Sequence, residues 1–459
     1  MASTRLSRTS GTPTNNSKWT ISVWVKRANL TYGDGFIMDA YVSANDRFKF
    51  AFQSADKLEI WNSNGGSDDA TLTPNRVFRD TNSWYHLLLS MDATLSTATD
   101  RFKLYVNGVR ETDFGTNVNA PQNSTEFVVN QNGATLAIGA YHGGSSFFDG
   151  SMSHFHFIDG TAYDPSAFGE TDSTTGEWKI NTSPSVTYGN NGFFILKDGN
   201  GVTDQSGNSN NFTVAAGSLT NTEDCPSDVF ATFNPLPYYG GTKPTFSNGN
   251  TSIRANGNGN YGEAVSTLAM PKSGKFYAEF KRYQNDSTFA VGVGDMPLII
   301  DALRSNTQIF STSFTGNCSV RVDGYMIRTG QEISGYIGSI ANGDIIGIAM
   351  DLDNGAFYAH KNGTYGAVSS VTGVPTSGSS KTGAIDLSAD SWWTNSSDIC
   401  FHFGSISGGG WDGCDANFGN GFFGTTAISS EGTNASGIGK FEYDVPTGYT
   451  ALSTKGLNE

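Results

Sequence analysis

The residues that could do chemistry are few, and their spacings can be tested one by one. A retaining glycosidase needs two carboxyl groups about 5–5.5 Å apart, which on a strand means acids at i and i+2 or i+4. The one acidic run is Glu170-Thr-Asp172-Ser-Thr-Thr-Gly-Glu177. Glu170 and Asp172 have the first spacing, but Glu177 comes too late, and no apolar alternation surrounds the run, so a solvated loop is expected. His154 and His156, two apart, could share a metal but have no third ligand nearby in sequence. A sheet-facing or partly buried pair is the expectation. His86, His360 and His402 each stand alone on strand-like sequence, without the Gly-x-Ser-x-Gly elbow of a hydrolase. No catalytic set emerges, and the chain is expected not to be an enzyme.

Oxygen ligands come next. Asp351-Leu-Asp353-Asn354-Gly355 offers oxygens at alternate positions, but lacks the distal Glu of an EF-hand loop. It reads as turn chemistry. Asp204-Gln-Ser-Gly-Asn208-Ser-Asn210 is richer in oxygen, and Asp204 and Asn208 are the candidate ligands for a structural calcium; no other cofactor is expected. Exposed aromatics that could stack on sugar faces would mark a carbohydrate site. Trp392, Trp393 and Trp411 lie in polar, loop-like sequence and form the candidate interaction patch, with burial under a neighbouring loop as the alternative. Cys225, Cys318, Cys400 and Cys414 contain no CxxC pair, so a structural zinc is not expected. Reduced thiols are.

The elements that must position these residues are strands. The 459 residues include 56 glycines and 13 prolines, and only 15% are charged. Glycine and asparagine supply positive φ, and serine and threonine satisfy loop backbone locally. The segment Trp19 to Arg27 alternates, with Trp19, Ile21, Val23 and Val25 on one face. Arg47 to Phe52, Lys57 to Trp61 and Trp84 to Asp92 follow. Phe102, Leu104 and Val106 point inward before an Asn107-Gly108 turn, the strongest short hairpin signal. Gly192 to Asp198 and Asn210 to Ala215 read as closing strands of the first domain. The crowding of Pro, Gly and Asn from Pro235 to Ser252 marks a boundary, giving domains at 1–238 and 246–459. In the second, Asn-Gly turns at 354–355 and 362–363 imply a three-stranded meander, and 405–439 reads as a long Gly/Asn-rich excursion. The expected fold class is all-β, two tandem antiparallel β-sandwiches with little helix.

Charge limits the partners. Lys and Arg number 28 against 43 Asp and Glu, a net charge of −15. Scattered cations on an acidic chain argue against nucleic acid and anionic membrane surfaces. No apolar run spans a bilayer, and MASTRLSRTSG lacks the apolar core of a signal peptide.

Several segments resemble known families. WTISVWVKR, Trp84-Tyr85-His86, FKLYVNG and FDGSMSHFHFIDG resemble laminin-G-like, concanavalin A-like jelly rolls, and the Asp204–Asn210 stretch resembles a turn common in them. KSGKFYAEF, NGDIIGIAMDLDNGAFYAHKNGTYG and ICFHFG resemble a SPRY domain. The segments Thr220 to Leu236 and Ala416 to Leu457 resemble parts of tailed-phage virion structural proteins with this tandem layout. The resemblance implies a jelly roll followed by a SPRY-like sandwich in a virion protein made in the host cytoplasm. Its role would be a surface appendage, fibre tip or capsid or tail decoration. Its partners would be other virion proteins, host-surface glycans and further copies of itself. A glucanase-like carbohydrate-active enzyme and a bacterial surface lectin are the alternatives.

Overall fold

A computed structural model describes the chain except residues 1–2, 31–32, 198–200, 239–242, 256–261, 285–288, 306, 311–312, 406–411 and 459. Its contacts divide the chain into two compact units, 1–221 with 225–227, and 228–459 with 222–224.

Unit 1 is built from strands β1 (Arg5–Thr9), β2 (Lys18–Arg27), β3 (Gly35–Ser43), β4 (Asp46–Gln53), β5 (Lys57–Asn64), β6 (Ser67–Pro74), β7 (Tyr85–Asp92) and β8 (Phe102–Val106). They are followed by β9 (Val109–Arg110), β10 (Phe114–Val118), β11 (Thr135–Ile138), β12 (Gly150–Asp159), β13 (Gly169–Thr171), β14 (Trp178–Ile180), β15 (Phe193–Ile195) and β16 (Thr213–Ala216). One sheet has eight strands in the order β10-β6-β5-β4-β3-β11-β1-β16; a second has six, β15-β12-β2-β7-β8-β9. The period-2 alternation does the sorting, because successive side chains leave a strand on opposite faces. Trp19, Ile21, Val23 and Val25 from β2 meet Phe48 and Phe50 from β4 in one apolar core. At its centre Trp19 is fully buried and meets Phe48, Phe102 and Phe127 edge to face, with centroids 5.7–6.2 Å apart. The two closing segments serve different sheets: β15 pairs with β12, and β16 pairs with β1. The first strand therefore lies beside the last, and Thr4 Oγ1 donates to the carbonyl of Ser218 at 2.5 Å.

Unit 2 repeats the plan with different strands. A nine-stranded sheet centres on Lys275–Tyr283, Ile345–Asp351 and Ala356–Lys361, and a six-stranded one on Phe289–Asp295 and Ile399–Ser405. Phe280, Ile346, Ile348, Phe401 and Phe403 fill its core. The expected meander forms as Ile345–Asp351, Ala356–Lys361 and Thr364–Tyr365. Two departures from the sequence reading have clear causes. The Gly/Asn-rich excursion is interrupted by a strand, Gly413–Asn417, which pairs with Lys275–Tyr283 and Ser252–Arg254. Cys414 and Ala416 alternate into the core there, small enough to hide in glycine-rich sequence; residues 406–411 lie outside the described residues. Residues 228–238, read with the first domain, make their pairings in unit 2, where Phe230 bridges Ser453 and Phe233 bridges Ser266.

One contact in unit 2 gives a sharp test. Tyr277 Oη and His360 Nε2 are 2.7 Å apart across the backbone of Gly347. A Cβ on Gly347 would lie 2.0 Å from His360 Nε2 and 2.5 Å from Tyr277 Oη. Gly347→Ala is expected to cost about 1–3 kcal/mol through overpacking, measured by urea unfolding; an unchanged midpoint would show that the rings can move aside.

Candidate functional site

The two sheets of unit 1 present their outer faces in contrasting states. The six-stranded face is covered by unit 1's own chain. Trp24, His86 and Trp178 stack there, with centroids 4.9 and 5.8 Å apart. Trp178 Nε1 donates to His86 Nδ1 at 3.0 Å. An indole N–H only donates, so Nδ1 is the bare nitrogen, and the ring gives its proton from Nε2 to Ser22 Oγ at 2.8 Å. Gly108, at φ +77°, makes room: a Cβ there would be 2.4 Å from the Trp178 ring. His156 lies beside it, 2.9 Å from Tyr188 Oη and stacked on Phe194 at 3.9 Å. Burial pushes His86 down to about 3 and His156 well below the usual histidine range, the neighbouring His154 adding to the latter. These histidines are neutral, packed rings.

The eight-stranded face carries a polar and aromatic layer. Alternation puts Phe48, Phe50, Leu58 and Ile60 in the core, and so turns Asp39, Tyr41, Arg47, Lys49, Glu59 and Trp61 outward. Asp39, Lys49 and Trp61 stand side by side on β3, β4 and β5. Asp39 is fully buried at the base and accepts from His142 twice, from the ring Nδ1 at 2.6 Å and the backbone N–H at 3.0 Å. Arg47 Nη2 approaches the same carboxylate at 3.5 Å. The Arg47 guanidinium lies over the rings of Trp61 and Tyr141, at 5.3 and 4.8 Å. His142 stacks on Tyr41 at 3.8 Å and lies 4.0 Å from Tyr141. Tyr141 and His142 are presented by a tight turn after β11, closed by Tyr141 N–H to Ser145 O at 3.0 Å and Gly144 N–H to Tyr141 O at 2.9 Å. Lys49 donates to Asp34 at 2.9 Å and Glu59 at 2.6 Å. Tyr41, Trp61, Tyr141 and His142 are each partly exposed. A rigid aromatic surface with fixed donors and acceptors beside it suits a flat ligand that has both an apolar face and hydroxyl groups.

The residues singled out from sequence fall elsewhere. Trp392 and Trp393 sit on a short helix, Ser391–Asn395, only 4% and 8% exposed, and belong to the core of unit 2. The polar letters around them are the helix's outward positions, and Lys272 closes over Trp393 at 5.2 Å. Neither can stack on a ligand from the surface; Trp411 lies outside the described residues. Glu170 and Asp172 stand on and just after β13, in a hairpin with β14, where Lys179 donates to Asp172 at 2.5 Å. That pairing holds Asp172 below the usual carboxylate range, the reverse of what a general acid needs. Asp204 uses both oxygens on nearby donors: Oδ1 takes the N–H groups of Phe194 and Ser206, and Oδ2 takes Ser206 Oγ and the N–H of Asn210, all at 2.8–2.9 Å. Asn208 Nδ2 donates to the carbonyls of Gly189 and Gly192 at 2.6 and 2.9 Å. Asp351 is paired with Lys275 at 3.0 Å and accepts from Asn354. Among the described residues no three His, Cys, Asp or Glu side chains gather as a metal site, and no helix is long and apolar enough to cross a membrane. Cys225, Cys318, Cys400 and Cys414 are not joined in disulfides.

Sequence reasoning missed the outer layer of β3–β5, although its signal was present. Trp61 is an aromatic residue on the polar face of an alternating strand, two places from Glu59 and opposite Lys49.

Residues 3–166 match the family Laminin_G_3, described as the Concanavalin A-like lectin/glucanases superfamily. The chain is similar to the SPRY domain of human HERC1, at 14% identity over 40% of this chain and 96% of that one, with a TM-score of 0.29. It is similar to a heptameric SAP-like pentraxin from Limulus polyphemus, at 17% identity over 35% and 71%, with a TM-score of 0.26. A third likeness is to domain 4 of AbnA, a GH43 extracellular arabinanase from Geobacillus stearothermophilus in complex with arabinotriose, at 20% identity over 33% and 64%, with a TM-score of 0.24. Identities and scores this low carry no site residue across. No curated protein matches the chain significantly. Residues 3–166 of the first unit are thus similar to concanavalin A-like lectin/glucanase domains, in a nearly all-β chain.

Proposed function

We propose that the chain is a non-catalytic recognition protein that holds a carbohydrate against the outer face of the eight-stranded sheet of unit 1. The observation that carries this is the partly exposed layer of Trp61, Tyr141, His142 and Tyr41 around Arg47, fixed from below by the buried carboxylate of Asp39. A pyranose ring offers an apolar face to such rings and hydroxyls to the groups beside them. The lectin half of the matched family's description supports the choice of ligand. Two features support binding without turnover. Asp172 is tied to Lys179 on a partly exposed hairpin, and the Lys49 ammonium stands between Asp34 and Glu59, donating to both.

Glycan-array screening followed by calorimetry tests this. Trp61→Ala should lower affinity about ten- to a hundredfold, the equivalent of one lost stacking partner of roughly 1–3 kcal/mol, with the unfolding midpoint little changed. Unaltered affinity would remove this face from the site. Polysaccharide turnover abolished by Glu170→Gln or Glu177→Gln would instead establish the glucanase-like alternative.

The finer placement is a tailed-phage particle, as a fibre tip, short appendage or capsid or tail decoration. It is supported by the resemblance of Thr220–Leu236 and Ala416–Leu457 to phage virion proteins. On this reading the chain binds host-surface glycans, docks on other virion proteins in symmetric copies and requires no cofactor. Mass spectrometry of purified particles checks it directly; particles that lack the chain would refute it.

A further inference from the structure

We infer that the carbohydrate held by the β3–β5 face is uncharged, an inference that rests on the reading of that face as a glycan site. Each of the two cations within the layer is already committed to carboxylates. Lys49 lies between Asp34 and Glu59, and its side chain is 8% exposed, against 41% and 28% for theirs. The ammonium is therefore covered, and of these three groups the charges left at the surface are the two carboxylates. Arg47 directs Nη2 at Asp39 and lies over the rings of Trp61 and Tyr141. With Nη2 turned to Asp39 and Nε buried, only Nη1 is left, too little for the bidentate grip on a carboxylate or sulfate at which arginine excels.

One neighbouring cation differs. Arg5 lies beside the Tyr141–Ser145 turn, with Nη1 3.8 Å from where a Cβ on Gly144 would be. Among the described residues no carboxylate comes within ion-pair distance of it. A lone guanidinium at the rim, on a chain of net charge −15, does not offset Asp34 and Glu59 for an approaching polyanion, whose encounter the chain's field opposes. For an uncharged sugar the same groups are assets, since carboxylate oxygens accept hydrogen bonds from hydroxyls and aromatic faces take the C–H surface.

The test is a panel of neutral oligosaccharides against sialylated and sulfated ones, measured by array and then by calorimetry on the full chain, with Trp61→Ala and Arg5→Gln alongside. The expected result is binding confined to neutral members and weakened about tenfold or more by Trp61→Ala. Arg5→Gln should shift affinity by less than about twofold, and raising NaCl from about 0.05 to about 0.5 M should do no more, because no ion pair is there to be screened. Preference for sialylated or sulfated members, lost in Arg5→Gln or in high salt yet still sensitive to Trp61→Ala, would overturn the uncharged assignment and leave the site standing. Binding indifferent to Trp61→Ala, or no binding by any member, would remove the site itself and this inference with it.

Discussion

Acidification should weaken unit 1 well before its carboxylates are exhausted. His86 titrates near 6.5 when exposed, and burial lowers it to about 3 in the fold. Above 6.5 the ring is neutral in both states and contributes no pH dependence. Below 6.5 the unfolded chain binds a proton that the folded chain refuses, so stability falls with pH until the folded value is reached. The slope is about 1.4 kcal/mol per pH unit, so going from about pH 7.5 to about 4.5 removes roughly 2–3 kcal/mol through His86 alone. Geometry gives the same sign: protonating Nδ1 would set a second donor against the Trp178 N–H. His156 is shifted in the same direction and adds to the loss. In unit 2, burial lowers His360 and His402 to about 3 each, but raises Glu279 to about 7 from 4.5. Glu279 works the other way, since its folded form holds a proton that the unfolded form gives up between those values. Unit 2 should therefore lose stability more gently than its histidines alone would dictate. Calorimetric melting across this range, with His86→Gln for comparison, checks the account. The variant should flatten the acid limb of unit 1 by about one histidine's share; an unchanged slope would mean that other groups drive it.

Asp39→Ala is expected to be both a folding and a binding mutation. The carboxylate is fully buried, and it holds two N–H groups of His142 and faces Arg47. Removing it leaves two part-buried N–H groups of His142 without their acceptor and a guanidinium without its counter-charge. That costs about 2–3 kcal/mol, at or just below the bottom of the range for broken buried pairs, because Arg47 and His142 keep some contact with water. The turn carrying Tyr141 and His142 would lose its anchor, so glycan binding should fall at least as far as in Trp61→Ala. The two variants together separate anchoring from contact: Trp61→Ala should lose affinity at nearly constant stability, and Asp39→Ala should lose both. An Asp39→Ala protein that melts at the parent temperature would mean that the layer is not braced from below.

The strands were the legible part of this sequence. A period of two, written in Trp19, Ile21, Val23 and Val25 or in Phe102, Leu104 and Val106, has one physical solution, a half-buried strand, and Asn107 and Gly108 adopt the positive φ values of 47° and 77° that their hairpin requires. The helix Met296–Arg304 was overlooked despite its signals. Asp295 caps it by accepting the Leu298 N–H at 2.9 Å, and a proline stands in its first turn. The site was harder to see because its members meet only across strands. Asp39 and His142 are 103 residues apart, and nothing local ties them together. Trp392 and Trp393 misled for the converse reason: polar neighbours describe a segment, whereas burial belongs to each side chain.

The pairing of β1 with β16 closes unit 1 like a clasp, so its chain enters and leaves at almost one point. Such a body can be set into an exposed loop of another protein without prying the host's backbone apart, or joined end to end and reopened elsewhere. Its synthesis, by contrast, has no early resting place. The second strand to flank β1 is not made until residue 216, and the growing chain must carry an unfinished sheet edge until then.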